Sequence, residues 1–334
     1  YKIYEFSNQK SVFSQVIQIK KYAWMIKVLI IGWYGTETIG DRAILAGILN
    51  SLHLNFKTEI QITIGSLYPY ITERTVCEDR ELYEILSPTV VRFEIIDSRD
   101  HTTLCANILN SDILLMGGGP LMDLQELWMI NYAFSFAKHR GVPTAIAGCG
   151  FGPLRNRELQ KCLAKIFSNS DLIILRDQKS AEAASKIYHL KYNEPKQFIA
   201  AIDPAVTCAL AYKSIASAPV KNDTLVASVR QIPNEYLLSH NSLDQININL
   251  ILALTNVVEQ NAISSINFVP MCYHHLGVDD RHYMTILKNE HPNLNCSIKK
   301  EPLNLAETMQ LFMASRLALG MRFHSVVLQT LLAE

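Results

Sequence analysis

Along the chain, short apolar runs rich in β-branched residues stop abruptly at glycine, proline or a charged residue, and a stretch with helical spacing follows each one. The runs cover 28–31 before Gly32, 113–116 before Gly117, 144–147 before Gly148, 172–175 before Arg176-Asp177 and 198–202 before Asp203-Pro204. Further along, 225–229 precedes Arg230, 266–269 precedes Pro270 and 317–319 precedes Gly320, while 60–64 and 90–96 add two more strands. Uninterrupted apolar strands alternating with helices predict an α/β protein whose parallel sheets are covered on both faces. In such sheets ligands bind beyond the carboxyl ends of the strands. The glycines and charged residues that stop the runs therefore line one edge of a sheet, although they lie far apart in sequence.

A stretch that is small, polar and broken by Pro219, at 211–223, marks a domain boundary. The expected organisation is an N-terminal extension at 1–24, a first domain at 25–212 and a second at 222–334. The last of these is expected to stop within a helix, short of its full length. The 334 residues suffice for two cores. Lys+Arg and Asp+Glu both number 31, which removes the electrostatic case for a nucleic-acid partner, while a local positive patch for a small anion remains compatible with it. The 7 cysteines are scattered and form no C-x-x-C pair, so neither a disulfide framework nor a zinc ribbon is indicated. No apolar run reaches the ~18–20 residues of a membrane span, and no secretory signal opens the chain. The expectation is a cytoplasmic protein.

Candidate chemistry sits at the strand ends. Gly32-Trp33-Tyr34-Gly35-Thr36-Glu37-Thr38-Ile39-Gly40-Asp41 leads from a strand into a helix expected to begin near Asp41. It can cradle an anion at the helix N-terminus, or Asp41 is an N-cap and the glycines form the turn. Gly117-Gly118-Gly119, followed by Pro120-Leu121-Met122-Asp123, exceeds what a turn requires and implies close approach of a ligand or of another loop. A third loop, Gly148-Cys149-Gly150-Phe151-Gly152-Pro153, repeats that logic, with Cys149 as a small residue in a tight loop rather than a nucleophile. Arg176 and Asp177 either pair with each other to stiffen their loop or take part in chemistry.

Two arginines at the ends of second-domain strands, Arg230 and Arg322, form the sharpest group, with His324 two residues beyond the latter. Guanidinium forks suit carboxylate and phosphate, and imidazole can move a proton near neutrality. All three are expected to meet in one pocket. His274, His275, Asp279 and His282 crowd together and invite a metal, but their spacing fits no standard site. A polar loop over the substrate is the reading preferred for them, and no metal or cofactor is expected.

Taken in order, these motifs resemble those of the polysaccharide pyruvyl transferase family. The matching segments are 32–45, 117–123, 148–153, 176–180, 203–205, 228–230 and 322–325, so the resemblance spans about 26–334. Thr38 departs from the family's usual asparagine. The resemblance implies a GT-B-like fold, with two Rossmann-like domains facing a cleft. It also implies phosphoenolpyruvate as donor substrate and a glycan or lipid-linked sugar as acceptor, in cell-surface or exopolysaccharide biosynthesis, with peripheral association at the cytosolic membrane face. On this basis His324 is the general acid, and Arg230, Arg322 and Phe323 bind the donor. Gly35, Asp41, Gly117, Gly118, Gly119, Asp123, Gly150, Arg176, Asp177 and His274 shape the loops or the acceptor side. The alternatives are a nucleotide-sugar glycosyltransferase of the same architecture and a non-catalytic binding module.

Overall fold

The computed structural model describes residues 25–36, 38–232, 243–273 and 279–333, with the backbone alone at 243 and 244. The expected extension at 1–24 and the candidate His274 lie outside the described residues. The chain divides into two compact units, one comprising residues 1–37 and 43–208, the other 38–42 and 209–334. The first turn of one helix thus belongs with the second unit although the rest of that helix belongs with the first.

In the first unit the chain runs β1 (Met25–Ile31), α1 (Ile39–Asn55), β2 (Glu59–Ser66), α2 (Pro69–Glu78), α3 (Arg80–Leu86), β3 (Val90–Asp97) and α4 (His101–Leu109). It continues through β4 (Ile113–Gly117), β5 (Pro120–Leu121), α5 (Leu127–His139), β6 (Thr144–Phe151), α6 (Arg157–Ser168), β7 (Leu172–Leu175), α7 (Gln178–His189), β8 (Ile199–Ala200) and α8 (Pro204–Ile215), the last of which passes to the second unit at Ala209. The strands form a parallel sheet in the order β3-β2-β1-β4-β6-β7-β8, with β5 paired to β6. Its central strands are apolar on both faces because helices cover both. Leu29, Ile31, Leu114, Met116 and Ile146 pack with Phe134 and Ala137 of α5 and with Leu163, Ile166 and Phe167 of α6. The helix starts carry their own donors' partners: Asp100, Asn156 and Asp177 each accept backbone N–H bonds from the turn that follows.

The second unit repeats the alternation: β9 (Asn222–Ser228), α9 (Leu243–Gln260), β10 (Ser265–Phe268), α10 (Asp280–Glu290), β11 (Cys296–Ile298), α11 (Leu305–Ala314), β12 (Ser315–Gly320) and α12 (Phe323–Leu332). Its parallel sheet has the order β11-β10-β9-β12. Leu225, Ala227, Ile266 and Phe268 pack with Leu254 of α9 and with Tyr283, Met284 and Leu287 of α10.

Three sequence expectations change. The first helix begins near Asp41 as expected, at Ile39, but Thr38 rather than Asp41 occupies the capping position. The third glycine motif is not a loop at its start. β6 carries on through Gly148, Cys149 and Gly150 to Phe151, because β5 and β7 extend the pairing there. The run at 198–202 shrinks to the two residues of β8, which lies at the sheet edge and pairs with β7 alone.

The glycine triplet has a packing explanation. Gly118 and Gly119 have φ of +84° and +73°, which disfavour any side chain. A Cβ on Gly119 would lie 1.8 Å from Trp33 Cδ1, and one on Gly117 would lie 2.6 Å from Ile48 Cδ1. Trp33 crosses this loop and donates its indole N–H to Pro120 O at 3.1 Å. The close approach is therefore that of a neighbouring loop and of α1.

Gly141 supplies the control, since its φ is +72° but nothing would lie within 4 Å of an added Cβ. Gly119→Ala is expected to lose about 2–5 kcal/mol, combining ~1–2 kcal/mol of left-handed backbone strain with ~1–3 kcal/mol of overpacking. Gly141→Ala should lose only the strain part, ~1–2 kcal/mol. Urea melts of the two variants measure the difference.

Candidate functional site

In the second unit, β9 and β12 are adjacent parallel strands with Ser228 level with Gly320, and Met321 N–H donates to Ser228 O at 3.0 Å. Two residues further along each chain stand Arg230 and Arg322. Register thus directs both segments to the same carboxyl edge of the sheet, where adjacent strands are ~4.8 Å apart. The glycine at the end of β12 is required by α12. A Cβ on Gly320 would lie 2.7 Å from Gln329 Oε1 and 2.8 Å from Ser325 Oγ. Gln329 in turn donates to Ser228 Oγ at 3.2 Å, fastening the two strand ends to one helix.

Arg322 is the residue before α12, and its guanidinium is directed inward. Nε donates to Asp280 Oδ1 and Oδ2 at 3.1 and 2.9 Å, and Nη2 donates to Oδ1 at 2.7 Å. Side-chain exposures of 17% and 2% make this a buried, fork-type pair. Burial works against the guanidinium charge, but the Asp280 hydrogen bonds and the Asp280 charge, with a smaller contribution from Asp41, outweigh it and raise its pKa above the ordinary value. Arg230 lies at the edge with Nε donating to Gln231 O at 3.2 Å.

His324 is the second residue of α12 and packs against the first turn of α1. A Cβ on Gly40 would lie 2.3 Å from His324 Nδ1 and 2.5 Å from Cγ, so only glycine leaves room for this imidazole. Phe323, 49% exposed, sets its ring edge-on to His324 with centroids 5.1 Å apart. The first turn of α1 is itself held in place. Asp41 Oδ2 accepts from Thr38 N and Oγ1, both at 2.9 Å, and Thr38 Oγ1 accepts from Asp41 N at 3.3 Å, a reciprocal box built on threonine. Ile39 N–H donates to Met271 O at 2.9 Å.

The second unit therefore gathers the first turns of α1, α10 and α12 around Arg322 and His324. The N–H groups of Ile39, Asp41, Asp280 and Arg281 are already bonded, so what these helix starts add is the partial positive charge of the helix dipole, which suits an anion.

Residues proposed for the first unit occupy a different setting. Gly35, at φ +100°, packs against Tyr68, whose N would lie 2.2 Å from a Cβ there. Asp123 accepts from the backbone N–H of Arg155 at 2.7 Å and of Asn156 at 3.1 Å, tying β5 to the start of α6. Arg176 is inserted beside Gly150, where a Cβ would lie 2.2 Å from Cζ, and pairs with Asp177 at 3.4 Å and Asp203 at 3.7 Å. Asp177 caps α7 by accepting from Ser180 N–H at 2.7 Å, while Ser180 Oγ accepts from Phe151 N–H. Each has a partner that fixes the sheet edge. Cys149 is fully buried, and burial pushes its thiol up to about 12, which removes it as a nucleophile.

The crowded segment around Asp279 resolves into a helix start. Asp279 caps α10 and is gripped by Arg281, whereas Asp280 is the group that reaches Arg322. A groove of about 330 Å³ along β12 and α12, lined by Arg316, Leu317 and Thr330 among others, contains none of the candidate residues. Asp280 and Gly40 lie within segments that the sequence singled out, but neither was named as a site residue. An Asp-Asp pair ahead of a helical apolar pattern signals a cap, but nothing local couples it to an arginine 42 residues away.

The sequence model of the polysaccharide pyruvyl transferase family matches residues 39–328. The chain belongs to this family. No curated protein matches it in sequence. Among solved structures, an alpha-glucosyltransferase in complex with UDP superposes with a TM-score of 0.54 at 8% identity, covering 92% of this chain and 78% of the other. A Listeria monocytogenes protein assigned as a UDP-N-acetylglucosamine 2-epimerase gives 0.53 at 14% identity, covering 90% and 75%. The UDP-GlcNAc 2-epimerase of Neisseria meningitidis, bound to UDP-GlcNAc, gives 0.50 at 11% identity, covering 88% and 77%. These likenesses establish a GT-B-like α/β fold for this pyruvyl transferase family member. Among the described residues, no helix is long and apolar enough to cross a membrane.

Asp177 gives a measurable test of the structural role assigned to the first-unit edge. Partial burial opposes its charge, but the Ser180 hydrogen bonds and the Arg176 charge outweigh burial and hold its pKa below the usual value. A depressed carboxylate contributes stability above its unfolded pKa of ~3.9 and loses that contribution as pH falls through the folded value. Asp177→Ala should therefore be less stable by about 1 kcal/mol at pH 7. Denaturation followed from pH 7 to pH 2 should show the gap to the parent closing at the acid end.

Proposed function

We propose that this chain moves the pyruvyl group of phosphoenolpyruvate onto two hydroxyls of a sugar, forming a ketal on a glycan or glycolipid intermediate of surface-polysaccharide synthesis. What supports this reading, in a pyruvyl transferase family member, is that adjacent parallel strands end level at Ser228 and Gly320, with Arg230 and Arg322 each two residues beyond and His324 in the helix turn that follows Arg322. Phosphoenolpyruvate presents a carboxylate and a phosphate, each a match for a guanidinium fork. The gathered helix N-termini add favourable potential for the same anion.

Ketal formation places a proton on the enol methylene while a hydroxyl oxygen bonds to C2. The second hydroxyl then bonds to the same carbon as the C–O bond to phosphate breaks and inorganic phosphate leaves; of the two hydroxyl protons, one restores the acid and the other departs on the phosphate. His324 supplies the first proton, an imidazolium donor being effective near neutral pH. The steric fit of its ring on Gly40 fixes its direction. An acceptor carried on lipid would bring the protein to the cytosolic membrane face.

Incubation with phosphoenolpyruvate and candidate glycans should release phosphate in step with ketal formation. His324→Gln should lower kcat by ~10²–10⁴-fold with little change in donor affinity, because proton donation matters in the transition state. Arg322→Lys retains charge but not the fork, so donor binding should weaken too. Near-normal turnover in His324→Gln would assign the acid elsewhere. The shared architecture leaves a sugar-nucleotide donor as the second reading; binding of a UDP-sugar with no phosphate release from phosphoenolpyruvate would select it.

A further inference from the structure

We propose that Asp280 is a positioning residue for the donor site, orienting the Arg322 fork and tying it to the surface behind His324; its effect on catalysis rests on the phosphoenolpyruvate reading above. Asp280 is 1% exposed and occupies the first position of α10. Besides the three contacts from Arg322, its Oδ2 accepts the backbone N–H groups of Met271 and Cys272, each at 3.1 Å. Its own N–H donates to Cys272 O at 3.1 Å. One carboxylate therefore joins the end of the β10 strand, the start of α10 and the residue that opens α12.

That connection reaches the histidine by a second route. Met271, held by Asp280 through its N–H, uses its carbonyl to accept from Ile39 N–H. Ile39 precedes Gly40, the surface on which the His324 ring rests. Loss of the Asp280 charge would release both Arg322, by removing its bidentate acceptor, and the Met271 link behind Gly40. A carboxylate is required because both Arg322 and the two backbone groups only donate. An asparagine at this place would offer one oxygen and turn an N–H₂ against other donors.

Among the described residues, the Cys272 thiol and the Asp41 carboxylate also lie near Arg322. Neither has the bidentate contact. The Asp41 carboxylate is engaged with Thr38, and the Cys272 backbone is itself bonded to Asp280. Orientation of the fork thus falls to Asp280.

The full-length protein tests this in three measurements. In the ligand-free state, the Nε–H resonance of Arg322 should be protected from solvent exchange, and Asp280→Asn should abolish that protection. For turnover, Asp280→Asn should reduce kcat/KM for phosphoenolpyruvate by about 10²-fold, as expected when a reacting group is misplaced by ~1 Å, and Asp280→Glu should recover part of the loss. In a double-mutant cycle with Arg322→Lys, the combined loss should fall short of the product of the two single losses, because both changes remove one oriented fork while only Asp280→Asn also loosens the Met271 link.

An Asp280→Asn protein that retains the protected Nε–H overturns the proposal. So does one whose loss in kcat/KM multiplies fully with that of Arg322→Lys, which would mark Asp280 as structural support only. Should Asp280→Asn fold poorly, Asp280→Glu and the parent resonance decide the same question. A parent protein that turns over no phosphoenolpyruvate would instead sink the donor reading, while the resonance still reports whether Asp280 orients Arg322.

Discussion

Parallel strand register is the constraint on which the candidate site depends. Every strand of a parallel sheet delivers its last residue to the same edge, and the hydrogen-bond ladder decides which residues stand level. With Ser228 fixed opposite Gly320, the segments that carry Arg230 and Arg322 leave the sheet at the same edge although they are far apart in sequence. The register is held from outside the ladder as well, by Gln329 of α12 bonding Ser228 and closing on the bare Cα of Gly320. A residue with a side chain at 320 would push α12 away from the sheet and, with it, the turn that carries Arg322, Phe323 and His324.

Two cationic side chains at one edge would repel, and a guanidinium withdrawn from water needs compensation. Asp280 supplies it for Arg322 within a set of bonds in which its oxygens serve a guanidinium and two backbone N–H groups. A buried pair of this kind contributes little net stability against an apolar replacement, yet breaking it by removing one partner is expensive. Its consequence is geometric: the guanidinium has one orientation. The glycine at position 40 has a comparable effect on His324 by steric means, since the imidazole occupies the volume that a Cβ would fill.

Glycines in the first unit follow the same steric logic. Gly117, Gly118 and Gly119 admit Trp33 and α1, Gly150 admits the Arg176 guanidinium, and Gly148 admits the ring of Pro204. Arg176 is balanced by Asp177 and Asp203 at the edge of that sheet. Motifs that look alike on paper, a glycine run at a strand end followed by a charged residue, thus serve packing in one unit and frame the donor residues proposed for the other.

The alternation of apolar runs with helical stretches determined the fold class, because a strand buried on both faces must be apolar throughout and a helix over it must be amphipathic. The same pattern placed Arg230, Arg322 and His324 at strand ends, since those are the first polar residues after each run. Local composition could not show that β6 continues through its glycines, because only pairing with β5 and β7 keeps Gly148 to Phe151 extended. Nor could it tell Asp279 from its neighbour. Both look like helix caps in sequence, and only the folded chain gives one to Arg281 and the other to Arg322. Periodicity is set by burial on a single element and is legible one residue at a time. The partner of a buried charge is chosen by which elements the sheet brings together, and that choice exists only in the tertiary structure.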